Sequence, residues 1–318
     1  MINLKNTGII CLLLYSSITF AQKSGSLENS GIYKMNLGNV EIFAILDGNH
    51  SINVKQLLHG ISGDSISKLM HQNSLDTNYN INFSAFLIKR AGERILVDAG
   101  CGEFMGPDAG RLTGNLATIG VGPKDITAVL ITHAHADHLG GLIENGMRRF
   151  PKATVYISKI EADYWLSSSN KAMARKDDQP IFDIVSKSLS PYVKTKQLRT
   201  FTAGNKILEG ITTINAQGHT PGSTAYQLRS NGQSILFIGD LAHIAAIQYS
   251  IPSVIIDWDI SQSAAASTRE KQFSKLAVSK SWVAGPHMPF PGIGHIISKG
   301  QGFQWIPIEI GAASAPKN

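Results

Sequence analysis

Four side chains within six residues, His133, His135, Asp137 and His138, could hold metal ions and do chemistry with them. They lie in the stretch Thr132-His133-Ala134-His135-Ala136-Asp137-His138-Leu139-Gly140-Gly141. Neutral imidazoles and a carboxylate are the ligands that borderline dications such as Zn²⁺ prefer. A single open catalytic ion takes about three protein ligands plus water, so four on one loop suggest two ions sharing it. The apolar, β-branched run Ala128–Ile131 just upstream reads as a buried strand. The ligands then stand on a tight loop at its end, where the paired glycines let the backbone turn away.

Three further candidates come later in the chain. His219 sits in Gly218-His219-Thr220-Pro221-Gly222, a rigid turn after a strand beginning near Ile211. Asp240 ends the apolar run Leu236–Gly239, and a carboxylate there needs a partner, of which a metal is one. His287 lies in a proline-stiffened loop, Gly285–Gly292. Each is weak evidence alone, but their order is informative. With Leu96-Val97-Asp98-Ala99-Gly100 upstream, the series of motifs resembles the metallo-β-lactamase superfamily from about residue 40 to 308.

That resemblance implies roles. His133, His135 and His219 would hold one metal, Asp137, His138 and His287 a second, and Asp240 would bridge them. Asp98 would support the loop from behind. Two divalent ions are implied, Zn²⁺ by default, with Fe or Mn also compatible with these nitrogen and oxygen ligands. A water deprotonated between two dications is a nucleophile at neutral pH, and the metals would stabilise the developing oxyanion.

Substrate is a finer question. Gly239–Gln248 and Pro286–His295 are similar to the group containing methyl parathion hydrolases and exported N-acyl-homoserine lactonases. Most small lactonases of the superfamily carry a tyrosine three residues after the bridging Asp; this chain has His243. Either His243 polarises a lactone carbonyl or it braces Asp240. Asp137 and His243 are therefore the candidate catalytic residues. His295 has a similar but lesser claim, and His50, His59 and His71 read as surface or lid residues. The leading expectation is a quorum-quenching lactonase, with Phe290, Met288 and the Leu/Ile/Met-bearing segment before Asn82 as an apolar wall for an acyl chain. A phosphotriester hydrolase acting on organophosphates is the runner-up, then a β-lactamase, then a metal-binding protein without turnover.

The elements that must position these residues follow from composition and pattern. The chain has 318 residues, 43% hydrophobic and 16% charged, a globular balance with ample core. Its net charge of +6 is not gathered into a basic run, so neither nucleic acid nor an integral membrane is an expected partner. Residues 1–21 read as a signal peptide: Lys5, an apolar core over Ile9–Phe20, and small residues Thr19 and Ala21 before the cleavage site. The mature protein, residues 22–318, is expected to be one exported domain, periplasmic or secreted, and relatives suggest a homodimer. Cys11 leaves with the leader, so Cys101 is left without a disulfide partner and reads as a buried apolar residue. Strands are expected at Val40–Leu46, Ser84–Lys89, Arg94–Val97, Thr154–Ile157, Ile211–Asn215, Ser223–Leu228, Ser234–Ile238 and Trp282–Ala284. Asp47–His50 reads as a turn, Ser51–Asn82 as short helices with a loop, Leu142–Arg149 as a helix and Ile181–Leu189 as a helix ending before Pro191. Helix is clearest at Ser261–Val278. Two β-rich halves with helices outside give an α/β (α+β) fold class, and the resemblance implies a four-layer αβ/βα sandwich.

Overall fold

Ile42–Ile45, Ala85–Ile88 and Ile95–Val97 are unbroken apolar runs, the pattern of strands covered on both faces. In the computed structural model, which describes residues 31–310, that is how they are used. The expected leader at 1–21 and the tail Ala312–Asn318, whose sequence carries no pattern, lie outside the described residues. The first sheet contains, side by side in sequence order, β1 (Ile32–Leu37), β2 (Val40–Asn53), β3 (Asn78–Arg90), β4 (Glu93–Val97), β5 (Ala128–Leu130), β6 (Thr154–Ser158) and β7 (Leu198–Phe201). Pairing is antiparallel up to β4 and parallel from β4 to β7. The second sheet again keeps sequence order: β8 (Lys206–Leu208), β9 (Ile211–Asn215), β10 (Thr224–Ser230), β11 (Gln233–Phe237), β12 (Trp282–Ala284), β13 (Ile293–Lys299) and β14 (Gly302–Pro307). Only β11 and β12 pair in parallel there.

The period of two along each strand splits its residues between two cores. Ile42, Ala44, Phe86, Ile88, Ile95 and Val97 meet Tyr226, Leu228, Ile235 and Phe237 across the gap between the sheets. Phe43, Ile45, Leu87, Leu96 and Val155 face outward, against Phe182, Val185 and Leu189 of the helix Gln179–Lys194. On the far side Leu236 and Val283 pack on Phe273 and Leu276 of the helix Gln262–Ser279. Helix, sheet, sheet, helix is the four-layer sandwich expected.

Several local expectations are corrected. Asp47–His50 is not a turn: β2 runs on to Asn53 with a bulge between Leu46 and Gly48. The Asp47 carboxylate accepts the N–H groups of Cys101 (2.8 Å), Gly110 (3.2 Å) and Leu112 (2.7 Å), so distant partners replace the local turn bond. The segment 51–82 does hold the short helices expected, Val54–Leu57 and Gly63–Gln72, but they sit on the loop of a long β2–β3 hairpin whose strands pair out to Asn53 and Asn78. Ile52, Val54, Leu58, Ile66, Met70 and Ile81 form their own core with Cys101, Ile247 and Val254. Leu142–Arg149 is not a helix but a small hairpin, Ile143–Glu144 with Met147–Arg148, turning at Asn145-Gly146. The helix at 179 continues through Pro191 to Lys194, because Tyr192 is anchored by its hydroxyl to the Leu142 carbonyl at 2.9 Å.

Candidate metal centre

Every candidate ligand lies just past the carboxyl end of a strand. Asp98 follows β4, the loop 133–138 follows β5, His219 follows β9, Asp240 follows β11 and His287 follows β12. Both sheets thus aim their strand ends at one crevice, where ligands of open α/β sheets commonly bind. Here the paired glycines do not serve a turn. A Cβ on Gly141 would stand 2.0 Å from the Ala99 carbonyl oxygen, so glycine lets the loop press against the end of β4.

The seven side chains come together as two groups. His133, His135, His219 and Asp240 form one, and Asp137, His138, Asp240 and His287 the other, with ligand atoms in each within 4.8 Å of one another. In the first, His133 Nε2 and His219 Nε2 lie 3.1 and 2.9 Å from His135 Nδ1, and Asp240 Oδ2 is 3.2 Å from His219 Nε2. In the second, His138 Nε2 is 3.2 Å from both Asp137 Oδ2 and Asp240 Oδ1, and His287 Nε2 is 3.1 Å from Asp240 Oδ2. Asp240 belongs to both groups, between them. His138 Nε2 and Asp240 Oδ1 are buried and make no hydrogen bond, although they are 3.2 Å apart. Stranding two such atoms is costly, and a shared cation would satisfy both. The donor set, imidazole nitrogens and carboxylate oxygens, suits a borderline dication.

A surrounding layer fixes the imidazoles. Asp98 takes His138 Nδ1–H (2.8 Å), Thr132 N–H (2.8 Å) and the Thr132 hydroxyl (2.9 Å). Asp259 holds His219 Nδ1 at 3.0 Å, and Arg269 lies behind Asp259 at 3.5 Å. His287 Nδ1–H donates to the Asn82 carbonyl at 2.7 Å. Such partners set the tautomer that leaves the other nitrogen free for a metal. Glu161 ties two ligand loops together. Its oxygens accept from Ala134 N–H, between His133 and His135, from Trp165 Nε1–H, and from the Thr220 hydroxyl and Gly222 N–H beside His219, each at 2.8 Å.

Sequence reasoning found Asp98 but missed Asp259, Asn82 and Glu161; of the run Asp257-Trp258-Asp259 only Asp259 is buried, and nothing local in the sequence sets it apart. Electrostatics follow the geometry. Burial pushes His135 down to about 3 and holds His133 well below the usual imidazole range, so both offer lone pairs. At His219 burial also opposes the proton, but the bonds to Asp240 and Asp259 outweigh it and raise the group to about 9.

His243 is fully buried, with Nε2 3.0 Å from Asp240 Oδ2 and its backbone N–H on Gln248 Oε1 at 2.7 Å. It reaches the shared carboxylate rather than the open space in front of it. His295 is elsewhere, bonded to the Ser281 carbonyl and packed on Trp282. His59 pairs with Asp257 at 2.6 Å on the surface, and His71 is exposed on its helix. Cys101 is buried, as expected.

A cavity of 520 Å³ opens over both groups, with His135, Asp137, Asp240 and His287 in its floor. Its walls are mostly apolar: Ile52, Leu57, Ile81 and Phe83 from the hairpin, and Trp165, Ile184 and Trp258 opposite. The expected contribution of Met288 and Phe290 is not found. Met288 is fully buried under the second sheet and Phe290 packs between the sheets.

Comparison with known proteins agrees with this architecture. A model of the metallo-beta-lactamase superfamily matches residues 83–278, more than half of the chain. The hydrolase AbOPH of the beta lactamase superfamily superposes with a TM-score of 0.85 at 34% identity, over 89% of this chain and 99% of that one. AidC, a dizinc quorum-quenching lactonase solved with the product N-hexanoyl-L-homoserine, gives 0.83 at 26% identity, over 89% and 99%. A ribonuclease of Thermus thermophilus is 32% identical over 170 residues, 50% of this chain and 35% of that protein. The chain thus spans about a third of that curated relative's length. The chain belongs to the metallo-β-lactamase superfamily.

Proposed function

We propose that this superfamily member is an exported, dimetal N-acyl-homoserine lactonase, with Zn²⁺ the expected ion. The carrying observation is the cavity: an apolar chamber whose only fixed charges among the described residues, outside the ligand groups, are Arg175 and Asp178, paired at 2.7 Å. Such walls suit a neutral substrate with an apolar tail. Among the described residues they offer no uncommitted cationic side chain to a β-lactam carboxylate or to the phosphates of RNA. The similarity to AidC supports the same reading.

Two dications held by the two groups would supply a nucleophile from water and an electrophile for the scissile carbonyl oxygen. This chain's own residues would do the rest. Asp98, Asp259 and the Asn82 carbonyl keep the imidazoles in register. His243 steadies Asp240, which is a positioning role. Asp137 borders the cavity; burial opposes its charge, but His138 outweighs it and keeps the carboxylate ionised. There it can take a proton from water and return it to the departing alkoxide. Leu57, Ile81, Trp165 and Ile184 would exclude water around the acyl chain.

A neutral phosphotriester fits the same walls, so phosphotriester hydrolysis is the second reading. The test is hydrolysis by the purified protein of a long-chain acyl-homoserine lactone beside methyl parathion, before and after chelation and zinc re-addition. A kcat/KM higher on the lactone and lost on chelation is expected. Preference for the phosphotriester would replace the first reading with the second. Full metal loading without turnover of either would leave a binding protein.

A further inference from the structure

We infer that His50 is a substrate-positioning residue, hydrogen-bonding a neutral amide or carbonyl of the substrate that lies away from the scissile carbonyl; this rests on the lactonase reading above. In the β2–β3 hairpin Gly48 pairs with Phe83, His50 with Ile81 and Ile52 with Tyr79. Paired residues share a face of the sheet. His50, Ile52, Ile81 and Phe83 therefore stand together, and all four line the cavity. Phe83 marks the inner end of this wall, its ring edge-on to His287 at 5.9 Å. Two residues of strand cover ~7 Å, so Ile81 and its neighbour His50 stand one step further out. His50 belongs to neither ligand group.

Among the polar groups of the walls, most are already committed. Asn53 bonds Asn78 at 3.0 Å and caps the Lys55 N–H at 3.1 Å. Arg175 is held by Asp178 and by the Asp257 carbonyl at 3.3 Å. His50 and Gln56 have no hydrogen bond or ion pair within the described residues. Of the four described residues of this face that line the cavity, His50 is the polar one beside Ile52, Ile81 and Phe83. A ligand that covered it with hydrocarbon alone would strand its ring nitrogens, whereas one with a polar group at that height would satisfy them. A wall with a polar group one strand step above the floor and apolar groups around it reads a substrate in three parts: reacting carbonyl, neutral polar link, apolar tail.

The test compares two lactones on the zinc-loaded full protein: an N-acyl-homoserine lactone, and a γ-alkyl lactone of equal chain length without the amide. His50→Phe keeps the ring bulk but not the hydrogen bond. It is expected to lower kcat/KM on the amide-bearing lactone by about 3- to 10-fold, through KM, and to leave the alkyl lactone within about twofold. His50→Gln should restore most of the loss. Equal losses on both lactones, an unchanged ratio, or an amide effect that follows Gln56→Ala instead would overturn the inference alone. Turnover of neither lactone by the wild-type protein would overturn the lactonase reading and the inference with it.

Discussion

Replacing Glu161 with glutamine should loosen the first ligand group without touching any ligand. The wild-type carboxylate accepts four hydrogen bonds, two on each oxygen: from the Ala134 N–H and the Trp165 indole on one, and from the Gly222 N–H and the Thr220 hydroxyl on the other. Glutamine has one acceptor oxygen and one N–H₂ group. Its better orientation leaves the oxygen on Ala134 and Trp165, whose N–H groups cannot reverse. The amide hydrogens then face Thr220 and Gly222. The threonine hydroxyl can rotate to accept, but the Gly222 N–H cannot, and it is stranded in a buried site. One orphaned donor costs about 1–3 kcal/mol, and losing charge assistance at the remaining bonds adds a similar amount, so the total is about 2–6 kcal/mol. For a chain of this size that is a fall in Tm of about 4–12 °C. Gly222 leaves no room for relaxation, since a Cβ there would sit 2.3 Å from the Glu161 nitrogen. Because the bonds hold the loops of His133, His135 and His219, zinc affinity should fall at that group more than at the other. Thermal melts of the metal-free protein and a zinc titration with metal analysis read both effects. A Glu161→Gln protein that melts within about one degree of wild type and binds two zinc ions with unchanged affinity would refute the bracing role.

Further outcomes concern the ions and the cavity. Asp240→Asn and His133→Ala should each lower bound zinc from two equivalents and abolish turnover; elemental analysis beside the lactone assay checks this, and full turnover in either would sink the dimetal mechanism. Because His219 is raised to about 9 in the metal-free protein, it carries a proton at neutral pH that zinc must displace. Zinc uptake should therefore release protons, and apparent affinity should climb as pH rises from 6 towards about 9; calorimetry in buffers of different ionisation enthalpy would expose a flat profile. The same shift means the stabilisation from this His⁺ in the metal-free fold is full below the unfolded pKa and lost as pH rises through about 9. Leu57→Ala removes about 1–2 kcal/mol of apolar contact, so KM should rise roughly 5- to 30-fold for long acyl chains and little for short ones; equal effects on both would contradict the assignment of that wall. Finally, cell fractionation with N-terminal sequencing should find the mature chain outside the cytoplasm, beginning at Gln22.

The ligands were legible because metal chemistry restricts residue type and the strand ends restrict position. The candidates His133 to His138 and Asp240 stand directly after apolar runs, whereas His219 and His287, weak evidence alone, are picked out by the order of the motifs. Their supporting partners are not, since Asp259 lies 40 residues from His219 and Asn82 contributes only a carbonyl. No local pattern marks either pairing. Asp47 misled for a related reason: Asp-Gly is turn chemistry until a distant segment supplies the N–H groups. Asn145-Gly146 was the opposite case, a hairpin signal overlooked beneath a helical reading of its neighbours. In the hairpin around 51–82 the second strand does show a period of two, Tyr79-Asn80-Ile81-Asn82-Phe83, but the first is interrupted by Asp47-Gly48-Asn49, residues typical of turns, which masked the pair.

Because each sheet follows the order of the sequence, the chain is in effect two consecutive half-proteins meeting at the crevice. Each ligand group draws two residues from the first half and two from the second: His133 and His135 with His219 and Asp240, then Asp137 and His138 with Asp240 and His287. Neither half completes a group alone. An ion seated there is a cross-link between halves, and the grip of one half on the other becomes a function of free metal, worth about 2.7 kcal/mol at a hundredfold excess over Kd. Cut within Thr202–Asn205, between β7 and β8, the chain would become a pair of fragments whose reunion reports dissolved zinc.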